Sequence, residues 1–109
     1  MSTEWMDALV DIKAPIRKAM EQIDQSGLRI AVVTNGERQL EGVVTDGDIR
    51  RGILEGTELD APVRTVMNED PITARPQEDR QSLIDQMQAR RIQQIPLVDE
   101  DGRIVDIEV

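Results

Sequence analysis

One order of segments runs twice along these 109 residues, so the chain must fold as two like units that complete one another. Met20 corresponds to Ile84, Ile23 to Met87 and Val43 to Ile107 at one constant spacing, while Val32 corresponds to Leu97 after a one-residue insertion. A unit of about fifty residues buries too little surface to be stable alone. The two copies are therefore expected to share a core.

Ser2 to Val10 places Trp5, Met6, Leu9 and Val10 at helical spacing behind Ser2 or Thr3 as N-cap, which predicts a short amphipathic helix. Ile16, Ala19, Met20 and Ile23 fall at i, i+3, i+4 and i+7. Pro15 stands where a first-turn proline would, and Gly27 where a left-handed residue ends a helix. Ile30 to Val33 is a continuous apolar run, Asn35-Gly36 carries hairpin-turn chemistry, and Leu40 to Val44 supplies the partner strand. Thr45-Asp46-Gly47-Asp48 opens another helix, with Ile49, Ile53 and Leu54 on one face and Gly56 at its end.

After a polar connection from Asp60 to Met67 the order returns. Leu83, Ile84 and Met87 share a helix, Ile95 to Val98 is a strand, Asp101-Gly102 a turn, and Ile104 to Val109 a strand. The first unit is placed at residues 1–61 and the second at 62–109. Val109 falls where the first unit has Thr45, so the second unit lacks its closing helix and the chain is expected to be part of something longer. The fold class is α/β (α+β): two pseudo-symmetric units, each a small antiparallel or mixed sheet against two helices.

Apolar residues make up 39%, with no Phe or Tyr and only Trp5, so the core is aliphatic. Thirteen basic against 22 acidic residues leave a net charge of -9, which repels a polyanion and argues against nucleic acid or an anionic membrane as partner. The absence of Cys and His removes disulfides, thiolate nucleophiles, the common zinc ligands and the side chain best suited to proton transfer at neutral pH. With no nucleophile–base pair and no P-loop, no catalytic residue and no metal site is assigned, and the chain is read as non-enzymatic. No apolar run approaches a transmembrane length and no leader pattern opens the chain, so a cytoplasmic location is expected.

The repeat, the run Gly42-Val43-Val44-Thr45-Asp46-Gly47-Asp48-Ile49-Arg50-Arg51, and Val66-Met67-Asn68 ahead of Pro71-Ile72-Thr73 together resemble a CBS (cystathionine beta-synthase) domain pair, or Bateman module. Trp5, the Thr45–Arg51 run, Gln94 to Asp99 and Asp106 to Val109 further resemble the N-terminal CBS pair of bacterial sugar-phosphate nucleotidyltransferases. The resemblance implies two units packed about a pseudo-twofold axis, with clefts for AMP, ADP, ATP or S-adenosylmethionine. It also implies a disc-like homodimer and an attached catalytic domain that the module regulates. No cofactor is required. A structural dimerisation module without a physiological ligand is the alternative.

Under that resemblance the nucleotide-binding candidates are Thr45, Gly47, Asp48, Arg29 and Arg51. An ionised Asp48 can accept hydrogen bonds from both hydroxyls of a ribose. Thr45 and nearby backbone N–H groups can meet a phosphate at the helix start, and Gly47 lets the backbone approach. Thr45-x-x-Asp48 is equally a near relative of the capping box, and the ligand reading leads only because of its place in the repeat. Arg29 and Arg51 are candidate phosphate partners, although solvated surface is the ordinary and heavier reading for such arginines, Arg90 and Arg91 included. Asp106 stands where the first unit has Gly42 and Val109 where it has Thr45, so the pattern of the ribose site is not repeated in the second unit.

Overall fold

The computed structural model describes residues 4–109. A 3-10 helix over Glu4–Ala8 leads directly into strand β1, Leu9–Asp11, which pairs parallel with the edge of β2. Where a helix over Ser2 to Val10 is expected, the described residues form a five-residue 3-10 segment and a strand. Ladder hydrogen bonds along β2 offer Leu9 and Val10 more than a last helical turn would. The Ser2 or Thr3 cap lies outside the described residues.

Helix α1, Ile16–Ser26, has Pro15 as its N-cap rather than its first helical residue, and it ends on Gly27 at φ 70°. Strands β2, Ile30–Thr34, and β3, Leu40–Thr45, are antiparallel and make a mixed three-stranded sheet with β1. Helix α2 spans Asp46–Leu54. A second 3-10 turn, Val63–Thr65, precedes α3, Arg80–Arg90, and the antiparallel pair β4, Ile95–Val98, and β5, Ile104–Glu108. The first unit thus has the two expected helices. The second has one among the described residues.

Ladder registers correct one correspondence. Ala31 pairs with Val44, Val33 with Gly42 and Thr34 with Leu40; one repeat later Ile95 pairs with Glu108, Leu97 with Asp106 and Val98 with Ile104. Leu97 is therefore the counterpart of Val33, Pro96 that of Val32, and no residue is inserted. Matching by side-chain type passed over Pro96 because it is unlike Val32. The irregularity that lets one strand slip recurs too, between Val33 and Thr34 and again between Leu97 and Val98.

Contacts between the units show the pseudo-twofold directly. Leu40 N–H donates to the Gly102 carbonyl at 2.9 Å, and Ile104 N–H to the Arg38 carbonyl at 3.0 Å; one repeat shift exchanges the two bonds. Arg29 and Gln93, 64 positions apart, touch each other, and Gln39 bridges Arg103. The parallel pairing of Val10 with Val33 returns as a bridge between Ala74 and Leu97.

Left-handed backbone follows the same spacing: Gly27 and Arg91 end α1 and α3, while Arg38 and Gly102 close the two hairpins. Neither hairpin is a two-residue turn. Asn35 and Asp99 each accept two backbone N–H groups of the loop through a side-chain oxygen, and Gly36 is not left-handed. An arginine in the left-handed region costs about 1–3 kcal/mol that glycine avoids.

The aliphatic interior forms three clusters. Val10, Ile16, Ala19, Ile23, Ala31, Val33, Val44 and Ile49 lie between the first sheet and its helices, together with Val63 from the connection. Ile30, Val32 and Val43 on the opposite sheet face meet Ala8, Ile104 and Ile107 of β5. Ala74, Leu83, Ile95 and Leu97 pack beneath α3. β2 is thus buried on both faces, which is why Ile30 to Val33 reads as an unbroken apolar run.

Candidate functional site

Thr45 ends β3 and caps α2. Its Oγ1 accepts the Asp48 N–H at 3.3 Å, while Asp48 Oδ2 accepts the Thr45 N–H at 2.9 Å and its hydroxyl at 3.1 Å. This is a closed capping box. The other carboxylate oxygen, Oδ1, is held by the Arg51 guanidinium. Only 15% of the Asp48 side chain is exposed, so the carboxylate is fixed in place at the helix start.

Beside that box lies a cleft of about 200 Å³ between the two units. Ile30, Val43, Ile72, Ile92 and Pro96 make apolar walls, and Thr45, Asp48, Asn68 and Gln94 present polar groups. Two details shape it. Asn68 exchanges backbone hydrogen bonds with Val43 at 2.8 and 3.1 Å, laying the connection across β3. A Cβ on Gly42 would stand 2.7 Å from the Asn68 carbonyl oxygen, so this crossing requires glycine there. Apolar walls with a few convergent polar groups and a fixed carboxylate suit a flat heterocycle carrying hydroxyls.

The five sequence candidates divide. Thr45 and Asp48 line the cleft. Thr45, Gly47 and Arg29 line a neighbouring depression of about 310 Å³ that shares Thr45, Ile92 and Gln94 with it. A Cβ at Gly47 would make only ordinary contacts, at 3.6 Å or more. Arg51 lies on the far side of Asp48, beside Gly52, Glu55 and Thr65, and does not line the cleft. Its place there is to brace the carboxylate.

Sequence reasoning missed the walls contributed by the second unit. The repeat carried a signal for one of them: Gln94 occupies the position of Ile30, and both residues reach the cleft. Asp106 is exposed, and Val109 lies one repeat beyond Thr45, so that pattern does not recur in the second unit.

Two α/β units related by a repeat and meeting along their sheets, with a cleft at the strand ends, define a tandem pseudo-symmetric module. The CBS domain family matches residues 7–55 and again 63–107, and the chain belongs to that family as a CBS pair. Arabinose 5-phosphate isomerase GutQ of Escherichia coli K12 is 32% identical over 95 residues, covering 87% of this chain and 30% of that protein. The chain therefore spans under a third of this relative, which is named as an isomerase and not as a nucleotidyltransferase.

Among solved structures, the CBS domain protein PAE2072 of Pyrobaculum aerophilum, complexed with AMP, superposes with TM-score 0.81 at 22% identity, over 92% of this chain and 77% of that one. The CBS pair of MJ0100, in complex with 5′-methylthioadenosine and S-adenosyl-L-methionine, gives TM-score 0.81 at 20% identity, over 93% and 82%. Both likenesses establish the fold. Among the described residues no helix is long and apolar enough to cross a membrane.

Proposed function

We propose that the cleft binds an adenosine nucleotide and that the chain is a non-enzymatic regulatory module of a larger, cytoplasmic protein. The observation that carries this reading is the Asp48 carboxylate, held rigid at the lip of a cleft whose walls come from both units. A bound ligand then touches both halves at once, so its binding energy depends on how they sit together. The AMP and S-adenosylmethionine complexes of the structural relatives support adenosine chemistry. AMP, ADP, ATP and S-adenosylmethionine are the candidates.

The regulated domain is proposed to act on a sugar phosphate, whether as an isomerase like GutQ or as the nucleotidyltransferase that the Thr45–Arg51 run resembles. Homodimerisation is proposed through α1 and α2, where Met20, Ile49, Ile53 and Leu54 surround a depression and Leu54 is 80% exposed.

A thermal-shift panel of AMP, ADP, ATP and S-adenosylmethionine, with GTP and CTP as controls, tests the reading. Ligand at about a hundred times its dissociation constant stabilises the fold by about 2.7 kcal/mol. Asp48→Ala should cut nucleotide affinity by roughly tenfold or more and so remove about half or more of that gain, besides costing about 0.3–1 kcal/mol at the helix start. A panel that leaves the melting temperature unmoved overturns the nucleotide reading in favour of a purely structural dimerisation module. In that second reading the Asp48 carboxylate serves only the helix start, through Thr45 and Arg51.

A further inference from the structure

We propose that Asn35-Gly36 is a site of spontaneous deamidation, and that the carboxylate formed there, set against Glu41, loosens the hairpin that joins the two units. The inference does not depend on the cleft or on any ligand.

Reactivity is the first ground. Asparagine is a chemically labile residue, and here it precedes a glycine, a pairing that occurs once in the chain. The Gly36 nitrogen attacks Cγ of Asn35 and gives up its proton, the bond from Cγ to Nδ2 breaks, ammonia leaves, and water opens the cyclic imide to an acid. Among the described residues the Gly36 N–H donates to nothing, and a Cβ on Gly36 would meet no atom within 4 Å. The nucleophile is therefore unengaged and uncrowded. Oδ1 of Asn35 accepts the Glu37 N–H at 2.8 Å and the Gln39 N–H at 3.1 Å, so two donors already face the oxygen on which charge develops.

Charge is the second ground, and the repeat supplies the comparison. Asp99, one repeat after Asn35, shows that a carboxylate can close this loop when the charges of Arg103 and Arg75 stand near it. Around Asn35 the corresponding positions read differently. Gln39 replaces Arg103 and Glu41 replaces Val105. Asn35 Nδ2 donates to Gln39 Oε1 at 2.9 Å and to Glu41 Oε2 at 3.2 Å. Deamidation removes both donors and leaves two carboxylates in contact, where like charges repel. Arg103 is engaged elsewhere, by Asp101 and the Glu37 carbonyl.

Position is the third ground. The loop that Asn35 closes delivers three bonds between the units: Leu40 N–H to the Gly102 carbonyl, Ile104 N–H to the Arg38 carbonyl, and Gln39 Nε2 to the Asp101 carbonyl at 2.9 Å. Splaying this loop weakens all three.

Ageing the full chain for days at mildly acid and mildly alkaline pH, followed by peptide mass mapping, tests the reaction. The peptide holding Asn35 should gain one mass unit, faster in alkali, and Gly36→Ala, which the open space admits, should slow the gain several-fold. Hydrogen exchange tests the consequence. In Asn35→Asp the Leu40 and Ile104 amides should exchange several-fold faster and the melting temperature should fall by a few degrees. Adding Glu41→Gln should restore most of both, measured against Glu41→Gln alone. An Asn35 peptide of unchanged mass overturns the proposal, as does one that gains mass equally fast in Gly36→Ala. Unaltered exchange and melting in Asn35→Asp, or a loss that Glu41→Gln leaves untouched, overturns the loosening.

Discussion

The two units share one plan and differ in what covers them. In the first, α1 and α2 close one face of the sheet, β5 closes the other, and β2 has no exposed residue. In the second, α3 and the segment around Ala74 cover one face of β4, while Val105 and Asp106 of β5 remain exposed. The same repeat position therefore receives a different side chain according to what crosses it. Gly42 lies beneath the Met67–Asn68 connection and Asp106, its counterpart, faces solvent. Pseudo-symmetry fixes the backbone, and local neighbours choose the residue.

Three paired substitutions and one single replacement break or sharpen that contrast. Ile104, fully buried in the cluster shared by the units, should cost about 2–5 kcal/mol on replacement by alanine. Adjacent Val105→Ala should fall within about 0.5 kcal/mol. Urea unfolding of the Ile104→Ala protein should remain one transition, since neither unit has a private core large enough to persist. Two separated transitions would show the units to be independent.

Gly42→Ala should destabilise by about 1–3 kcal/mol, because the added Cβ meets a backbone oxygen at 2.7 Å and Met67 Sδ at 2.9 Å. Asp106→Ala, one repeat later, should be nearly silent in the same denaturation experiment. Equal effects at the two positions would mean that the crossing of the connection over β3 is not what excludes a side chain.

The helix caps should respond with opposite signs. Gly27→Ala forces a Cβ into left-handed backbone and should cost about 1 kcal/mol, whereas Arg91→Gly relieves that conformation and should gain a few tenths of a kcal/mol by thermal denaturation. A loss of stability in Arg91→Gly would assign the side chain a packing role.

Much of this was legible in the residues. Helix α1 and the strand pairs β2–β3 and β4–β5 follow from apolar spacing, and Thr45-x-x-Asp48 announced the box that caps α2. What escaped notice depends on partners distant in sequence. Leu9–Asp11 becomes a strand only because β2 offers an open edge, and Val63 enters the first core from a stretch that reads as polar linker. Ile72, Ile92 and Gln94 become a wall only once the second unit swings over the first. Arg51 keeps its link to Asp48 yet faces away from the cleft, a matter of helix rotation that spacing alone did not settle.

The smallest expected effect lies in the hairpins, where one turn is built with two chemistries. Asn35 and Asp99 hold their loops through the same two backbone N–H groups, but only Asp99 titrates. The Arg103 N–H bonded to Asp99 is the main influence holding its carboxyl below the usual aspartate value. Slight desolvation opposes it, and the Asp101 N–H and the Arg103 and Arg75 charges assist it. A carboxyl whose folded pKa is depressed stabilises the fold above its unfolded value of about 3.9 and loses that contribution as pH falls through the folded value. Asn35 Oδ1 carries no charge to lose, so its hold on the loop does not titrate. Asp99→Asn should therefore leave the loop closed and be less stable than the unmodified protein at neutral pH, with the gap narrowing below about pH 4. Comparing the two proteins at each pH cancels the titration of the other carboxylates. A gap that stays constant from neutral to acid pH would show that the Arg103 and Asp101 N–H groups do not depend on the charge of Asp99, making the two hairpins chemically equivalent.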